Sequence, residues 1–214
     1  MNSTRTSDRK TAIITGSTSD IGSDIARRLV HEGYRVILTS RPSKRLEDLE
    51  KDLNHRHLGS AVTMPCDLND LDAVNRLTTA IVKQFRRIDL FIHAAGVYHD
   101  YDKAFYNIPF EKYSSSTIIE TINVGMLAPM LLLQTISKQI SSGGKIVFIS
   151  GTFDSASGWL PYYVSKKALE DLAVGLTQEL KSKGVRVNCI SPGDTITSSY
   201  KRFFPQYANE KHAI

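Results

Sequence analysis

The stretch "KTAIITGSTSDIGSDIARRLV", Lys10 to Val30, decides how the rest of the chain is read. Its β-branched run "TAIIT" has no polar alternation to mark a solvent side, as expected of a strand covered on both faces. The run stops at Gly16, passes four small polar residues, Ser17 to Asp20, and resumes after Gly22 with apolar residues at helical spacing from Ser23 to His31. Strand, tight turn and helix therefore follow one another directly. In such a unit Gly16 supplies a backbone conformation closed to residues with side chains, and Gly22 lets the helix lie close to the sheet. The unpaired N–H groups at the helix start offer a place to an anion such as phosphate.

The same alternation continues along the chain. "RVILTS", "AVTMP", "DLFIHAAG", "KIVFIS" and "VRVNCIS" read as five further strands, with helical patterns over Lys44 to Asn54, Leu71 to Phe85, Ile118 to Ile140 and Tyr163 to Lys183. "NHRHLGS" and "SSGGK" read as helix exits into turns. Alternation of this kind calls for an α/β fold with a parallel sheet and right-handed crossovers. No repeat, linker or low-complexity segment divides the 214 residues. One domain over 1–214 is expected, with the polar residues 1–9 as a flexible tail. In an open parallel sheet the ligand crevice lies beyond the carboxyl ends of the strands, which puts the "TGSTSDIG" turn at that crevice.

Composition narrows the function classes. A net charge of +5 permits an acidic or phosphorylated ligand, yet the 27 Lys and Arg are scattered, so no nucleic-acid partner is expected. Cys66 and Cys189 lie far apart without C-x-x-C spacing, which argues against a disulfide framework or a zinc knuckle and suits a reducing, cytoplasmic setting. The N-terminal residues lack the apolar stretch of a secretory signal. "MLAPMLLLQTI" is interrupted by Pro129, and no apolar run reaches the roughly 18 residues of a membrane span, so no membrane association is expected. His55 and His57 have no third ligand at zinc-like spacing, and no metal site is expected.

A second constellation is "YYVSKKAL", Tyr162 to Leu169, in which Tyr162 and Lys166 are one helical turn apart and share a face. Alone, it would be an amphipathic helix with surface tyrosines and lysines. It has company: "TGSTSDIG", "CDL" (Cys66 to Leu68), "HAAG" (His93 to Gly96), "NVG" (Asn123 to Gly125), "ISG" (Ile149 to Gly151), "YYVSK" and "SPGDTIT" (Ser191 to Thr197) follow one another from Thr15 to Thr197. This ordered set resembles the short-chain dehydrogenase/reductase family in its single-domain branch. The resemblance implies a Rossmann-like doubly wound parallel sheet and hydride transfer between a nicotinamide cofactor and a small-molecule carbonyl or alcohol. It also implies a homodimer or homotetramer.

Carbonyl reduction puts negative charge on oxygen as hydride arrives, so a proton donor and a hydrogen bond must wait there. The resemblance assigns the donor to Tyr162, whose phenol, with an ordinary pKa of about 10, is expected to be lowered by the Lys166 cation. Lys166 would also hold the nicotinamide ribose. Ser150 would steady the substrate oxygen, and Asn123 would hold a water that relays protons to the lysine. The cofactor would run along Gly16, Ser17, Ser19, Asp20, Ile21 and Gly22. It would meet Asp67 and Leu68 at the adenine edge, pass Ala94, Ala95 and Gly96, and reach Pro192, Gly193, Thr195 and Thr197 at the carboxamide. At the end of the second strand stand Ser40 and Arg41 in place of an acidic residue. A hydroxyl does not repel a 2′-phosphate and a guanidinium grips it, so NADP(H) is favoured over NAD(H).

The chain departs from the family pattern in several places. Asp20 stands where the turn usually has its middle glycine, and is read here as capping a helix that begins at Ile21. "HAAG" replaces N-N-A-G, so the contacts that the first two asparagines usually make are either missing or remade by His93. Ser150 is one residue nearer to Tyr162 than is usual; pairing it with Tyr163 and Lys167 restores the interval, and Thr152 and Ser155 are further candidate hydroxyls. The C-terminal part is shorter than usual, and the aromatics of "SSYKRFFPQYANEK" suit either a pocket wall or a subunit contact. These departures leave a second reading, a cofactor-binding redox sensor or scaffold without turnover.

Overall fold

Six short runs of aliphatic and β-branched residues pair into one parallel sheet: β1 (Thr11–Thr15), β2 (Arg35–Thr39), β3 (Ala61–Thr63), β4 (Ile88–His93), β5 (Ile140–Ile149) and β6 (Arg186–Ile190). Their order is β3-β2-β1-β4-β5-β6 in a computed structural model that describes residues 9–206. This is the doubly wound arrangement, and the crevice belongs where the order reverses, between β1 and β4. Both strands are buried along their whole length, so neither shows polar alternation.

Alternate residues of the strands feed two separate cores. Ile13, Ile37, Phe91, Ile146 and Phe148 point to one face, against α3 (Leu71–Gln84), α5 (Ala128–Ile136) and α6 (Leu160–Glu179). Ala12, Ile14, Val36, Leu38 and Ile92 point to the other, against α1 (Asp20–His31) and α2 (Lys44–Arg56). Each large aliphatic or aromatic side chain buried this way contributes about 1.5–3 kcal/mol. A β-strand presents side chains to opposite faces with a period of two, so a continuous apolar run serves both layers.

Element ends differ from the sequence expectation, for local reasons. Helix α1 begins at Asp20 and is capped by Ser19, whose Oγ accepts from the Gly22 N–H at 3.0 Å. Asp20 is therefore not the cap: it already lies inside the first turn, and its carboxylate is engaged elsewhere. Helix α6 begins at Leu160 because Pro161, with its fixed φ, suits a first helical turn. The single helix expected over Ile118 to Ile140 is α4 (Ser115–Ile122), a π-helical turn (Asn123–Leu127) and α5, ending at Ile136. That continuous run, Ser115–Ile136, is long and apolar enough for a membrane span by composition, with mean hydropathy 1.5, because Pro129 sits in the first turn of α5 without breaking it. Its apolar residues Leu132, Leu133 and Ile136 are buried in the core that α3 shares. The "SSGGK" turn lies inside β5, where the pairing with β4 shifts register and Gly143 takes φ +73°. A short helix, α7 (Ser198–Phe203), follows β6. The flexible tail expected over 1–9 lies, up to residue 8, outside the described residues.

The turn after β1 is packed without slack. Gly16 has φ +68°, and a Cβ there would lie 2.7 Å from the Ala95 nitrogen; one on Gly22 would lie 2.2 Å from the Gly16 oxygen. Beneath the turn, Thr15 Oγ1 and His93 Nδ1 share a 2.7 Å hydrogen bond, both groups fully buried. Burial, with the Lys166 charge adding to it, pushes the imidazole down to about 3, so His93 is neutral at ordinary pH.

Two expectations follow from this packing. Gly22→Ala should lose about 1–3 kcal/mol of unfolding free energy, whereas Gly175→Ala, in mid-α6 with open space around it, should gain about 0.5–1 kcal/mol; urea melts measure both. The folded-state pKa of His93 lies below its unfolded value of 6.5, so on acidification the unfolded chain takes up a proton that the folded chain refuses. Stability should therefore fall below pH 6.5, and the wild type should lose up to about 1.4 kcal/mol per pH unit more than His93→Asn. A difference that does not change with pH would overturn this account of His93.

Candidate active site

The first turns of α6 set the chemistry. Tyr162 and Lys166 stand one turn apart, and α6 lays both toward the carboxyl ends of β4 and β5. The Lys166 side chain is 2% exposed, and its Nζ donates to the carbonyls of Ile149 (2.8 Å) and Ala95 (3.2 Å). The same nitrogen lies 5.5 Å from the centre of the Tyr162 ring. Burial pushes the ammonium down to about 8. The Tyr162 phenol moves up rather than down, through burial and the neighbouring Tyr98. The sequence expectation was the reverse. The difference has a physical reason: the Lys166 protons are directed at two backbone carbonyls, and desolvation of the phenol outweighs the nearby charge. Tyr162 thus keeps its proton at neutral pH.

A crevice of about 720 Å³ runs from the start of α1, past Tyr162 and Lys166, to α7. Ser19, Asp20, Ile21, Ala94, Gly96, Ser150, Pro192, Gly193, Thr195 and Thr197 line it alongside the tyrosine and the lysine. Tyr163 and Lys167 do not: the Tyr163 ring packs on Phe153 at 5.3 Å, and Lys167 Nζ pairs with Glu170 at 2.9 Å. The remaining anticipated residues do not line the crevice. Ser17 is wholly buried, its N–H donating to Thr39 at 3.2 Å. Ser40 accepts from both the N–H and the hydroxyl of Thr18 at 3.1 Å, and Arg41 is exposed beside it. Asp67 accepts from the Asn69 N–H at 3.0 Å, and Leu68 is a core residue. The Ala95 carbonyl is the one held by Lys166.

Ser150 and Asn123 are engaged by the protein itself. The Ser150 hydroxyl lies 3.0 Å from the Lys166 carbonyl and 2.8 Å from Glu170 Oε1, both on α6. Glu170 also accepts from Ser191 at 3.1 Å. The hydroxyl is thus turned into the seam between β5 and α6, and the next residue, Gly151, brings none. Asn123 opens the π-helical turn, whose carbonyl accepts from the Ala128 N–H, and its amide donates to the Asn69 carbonyl (3.1 Å) and Oδ1 (3.0 Å). It ties the turn to the segment after β3. π-Helical turns are frequent at functional sites.

Asp20 joins three helices at the mouth of the crevice. Its carboxylate accepts from Arg45 of α2 at 2.7 Å and from the Ser198 N–H that starts α7. Partial burial opposes ionisation, but the Ser198 and Arg45 contacts outweigh it and hold the carboxyl below the usual range. The charge is therefore taken up within the protein, which reduces its repulsion of a phosphate at the turn.

A dinucleotide fits these residues. The Asp20 and Ile21 N–H groups find no backbone acceptor among the described residues. Gly16 and Gly22 bring the backbone in where a Cβ would collide, and Gly96 opens on the crevice with Lys166 Nζ only 2.9 Å from where its Cβ would be. Among the described residues no cluster of three His, Cys, Asp or Glu side chains could hold a metal.

Of the aromatic end of the crevice, sequence reading anticipated only the stretch after Thr197, whose Tyr200 and Phe204 form part of the wall, and missed the rest. Tyr98, Tyr106, Phe153, Trp159 and Phe204 line it, along with Asp154, Asp194 and Tyr200. A signal was available: the only tryptophan of the chain lies in the segment between β5 and α6.

Known proteins resemble this chain in sequence and in fold. The family model for short chain dehydrogenase matches residues 10–208. Dehydrogenase/reductase SDR family member 4 of Homo sapiens is 30% identical over 197 residues, covering 90% of this chain and 68% of that protein. Serine 3-dehydrogenase of Agrobacterium fabrum is 33% identical over 187 residues, 86% of this chain and 71% of that protein. A metagenomic short-chain oxidoreductase, solved in complex with NADP, superposes with a TM-score of 0.76 at 28% identity, covering 87% of this chain and 83% of that one. With the fold, the turn after β1 and the family match running over nearly its whole length, this chain belongs to the short-chain dehydrogenase/reductase family.

Proposed function

We propose that the chain is an NADP(H)-dependent oxidoreductase that interconverts a carbonyl and an alcohol on a small molecule. One observation carries the reading: a protonated Tyr162 phenol beside the buried Lys166 ammonium, both opening on the crevice. When bound, the cofactor supplies or accepts the hydride at the substrate carbon. Tyr162 gives its proton to the substrate oxygen in reduction and recovers it in oxidation. Lys166, fixed by the Ile149 and Ala95 carbonyls, stabilises the phenolate that Tyr162 becomes for that moment. Pro192 to Thr197 bound the carboxamide side, and Asn123 anchors the π-helical turn to the segment after β3 through Asn69.

The cofactor preference rests on the end of β2. Ser40 and Arg41 put a hydroxyl and a guanidinium where a carboxylate would exclude a 2′-phosphate. The structural relative solved with NADP supports the same choice. The unpaired cysteines Cys66 and Cys189 support a reducing, cytoplasmic setting. The exposed apolar Ile119, Val164 and Val174 on α4 and α6 support a homodimer or homotetramer.

A second reading, cofactor binding without turnover, is favoured by one observation: the Ser150 hydroxyl is held by Glu170 and the Lys166 carbonyl, away from the role the resemblance gives it. Two measurements separate the readings. Tyr162→Phe is expected to lower kcat/KM by about 100- to 10,000-fold, with NADPH affinity near wild type by calorimetry; a wild type that binds NADPH but reduces no carbonyl in a broad panel would favour the second. Arg41→Asp is expected to weaken NADPH binding far more than NADH binding, and equal losses would overturn the NADP(H) assignment.

A further inference from the structure

We propose that the substrate end of the crevice takes an uncharged aryl carbonyl, an inference that rests on the oxidoreductase reading above and names its substrate class. The Tyr162 ring is surrounded by Tyr98 at 5.7 Å, Phe153 at 5.7 Å and Trp159 at 6.1 Å between ring centres. Trp159 in turn meets Tyr106 at 4.7 Å and Phe204 at 5.9 Å. Every spacing falls within the roughly 4.5–7 Å at which aromatic rings attract one another beyond their buried area. These rings come from three separate parts of the chain, after β4, after β5 and after α7, and all of them line the crevice. The opposite end, at the α1 turn, is lined by Ser19, Asp20, Ile21 and Arg45. The two ends therefore suit different chemistry: phosphates at one, a flat apolar group at the other.

Charge narrows the class further. Of the two Lys and Arg that line the crevice, Arg45 is paired with Asp20 at the nucleotide end and Lys166 is buried beside Tyr162 with its protons on two carbonyls. The lining beyond Tyr162 carries the carboxylates of Asp154 and Asp194, the latter accepting from the Tyr200 hydroxyl at 2.9 Å. A substrate carboxylate would meet like charge there, and among the described residues no Lys or Arg lines that end to offset it, His99 being the one lining imidazole. An aryl ketone or aldehyde would instead set its ring among the aromatic walls while its oxygen reaches the Tyr162 hydroxyl.

Trp159 is the only tryptophan in the chain, so its fluorescence reports on this end independently of turnover. With saturating NADP present, acetophenone should change that fluorescence saturably, binding about 3- to 10-fold more tightly than cyclohexyl methyl ketone and more than about tenfold more tightly than para-carboxyacetophenone. Tyr106→Ala, with Phe153→Leu as a second variant should the first fail to fold, should reduce the advantage over the cyclohexyl ketone to about twofold or less. No saturable change, or equal binding of the three ketones, would overturn the proposal. Turnover with NADPH in the same solutions keeps the two readings apart. Acetophenone bound selectively but never reduced would sink the oxidoreductase reading and leave the aryl pocket standing, whereas acetone reduced as well as acetophenone would sink the aryl pocket alone.

Discussion

The buried ammonium of Lys166 joins the parts of this protein on which the crevice depends. Its two hydrogen bonds, to Ile149 at the end of β5 and to Ala95 just after β4, tie α6 to the carboxyl edge of the sheet. A buried charge is costly unless hydrogen bonds compensate for lost water, so any shift of β4, β5 or α6 that broke this arrangement would leave the ammonium exposed to that cost. The cost is visible in its depressed pKa of about 8. One turn earlier on the same helix, Tyr162 inherits its place from this clamp.

Helix α6 consequently has two chemically distinct sides. Tyr162 and Lys166 face the crevice, while Tyr163 and Lys167 turn away from it and Glu170, directed at the ends of β5 and β6, collects Lys167, Ser150 and Ser191. The Ser150 hydroxyl is drawn to that network because Glu170 is a charged acceptor, and charge-assisted bonds are roughly twice as strong as neutral ones. At the other end of the crevice a single carboxylate acts similarly: Asp20 binds α2 through Arg45 and α7 through Ser198. A residue that interrupts the glycine pattern of the turn thereby connects the turn to the segment that covers it.

Much of this was legible in the sequence. The alternation of apolar runs and helical spacing carried the parallel sheet, since strands covered on both faces leave no other pattern. The close approach at Gly16 and Gly22 was legible because no other residue type fits there. The side-by-side placement of Tyr162 and Lys166 followed from a spacing of one helical turn. Less legible were features that depend on which neighbour wins a side chain. Asp20 could cap a helix or bridge to another element, and only the positions of Arg45 and Ser198 decide between the two. Ser150 could face the crevice or the α6 seam, and its competitor, Glu170, lies twenty residues further along the chain.

Local physics, then, determined the strands, the glycine turn, the helix carrying Tyr162 and Lys166, and the absence of an acidic residue at the end of β2, because each is set by periodicity or by a residue's own geometry. The tertiary structure alone decided the upward shift of the phenol, the commitment of Ser150 and Asp20, and the convergence of Tyr98, Tyr106, Phe153, Trp159 and Phe204. Those properties arise from desolvation and from contacts between distant segments, and neither leaves a periodic trace along the chain.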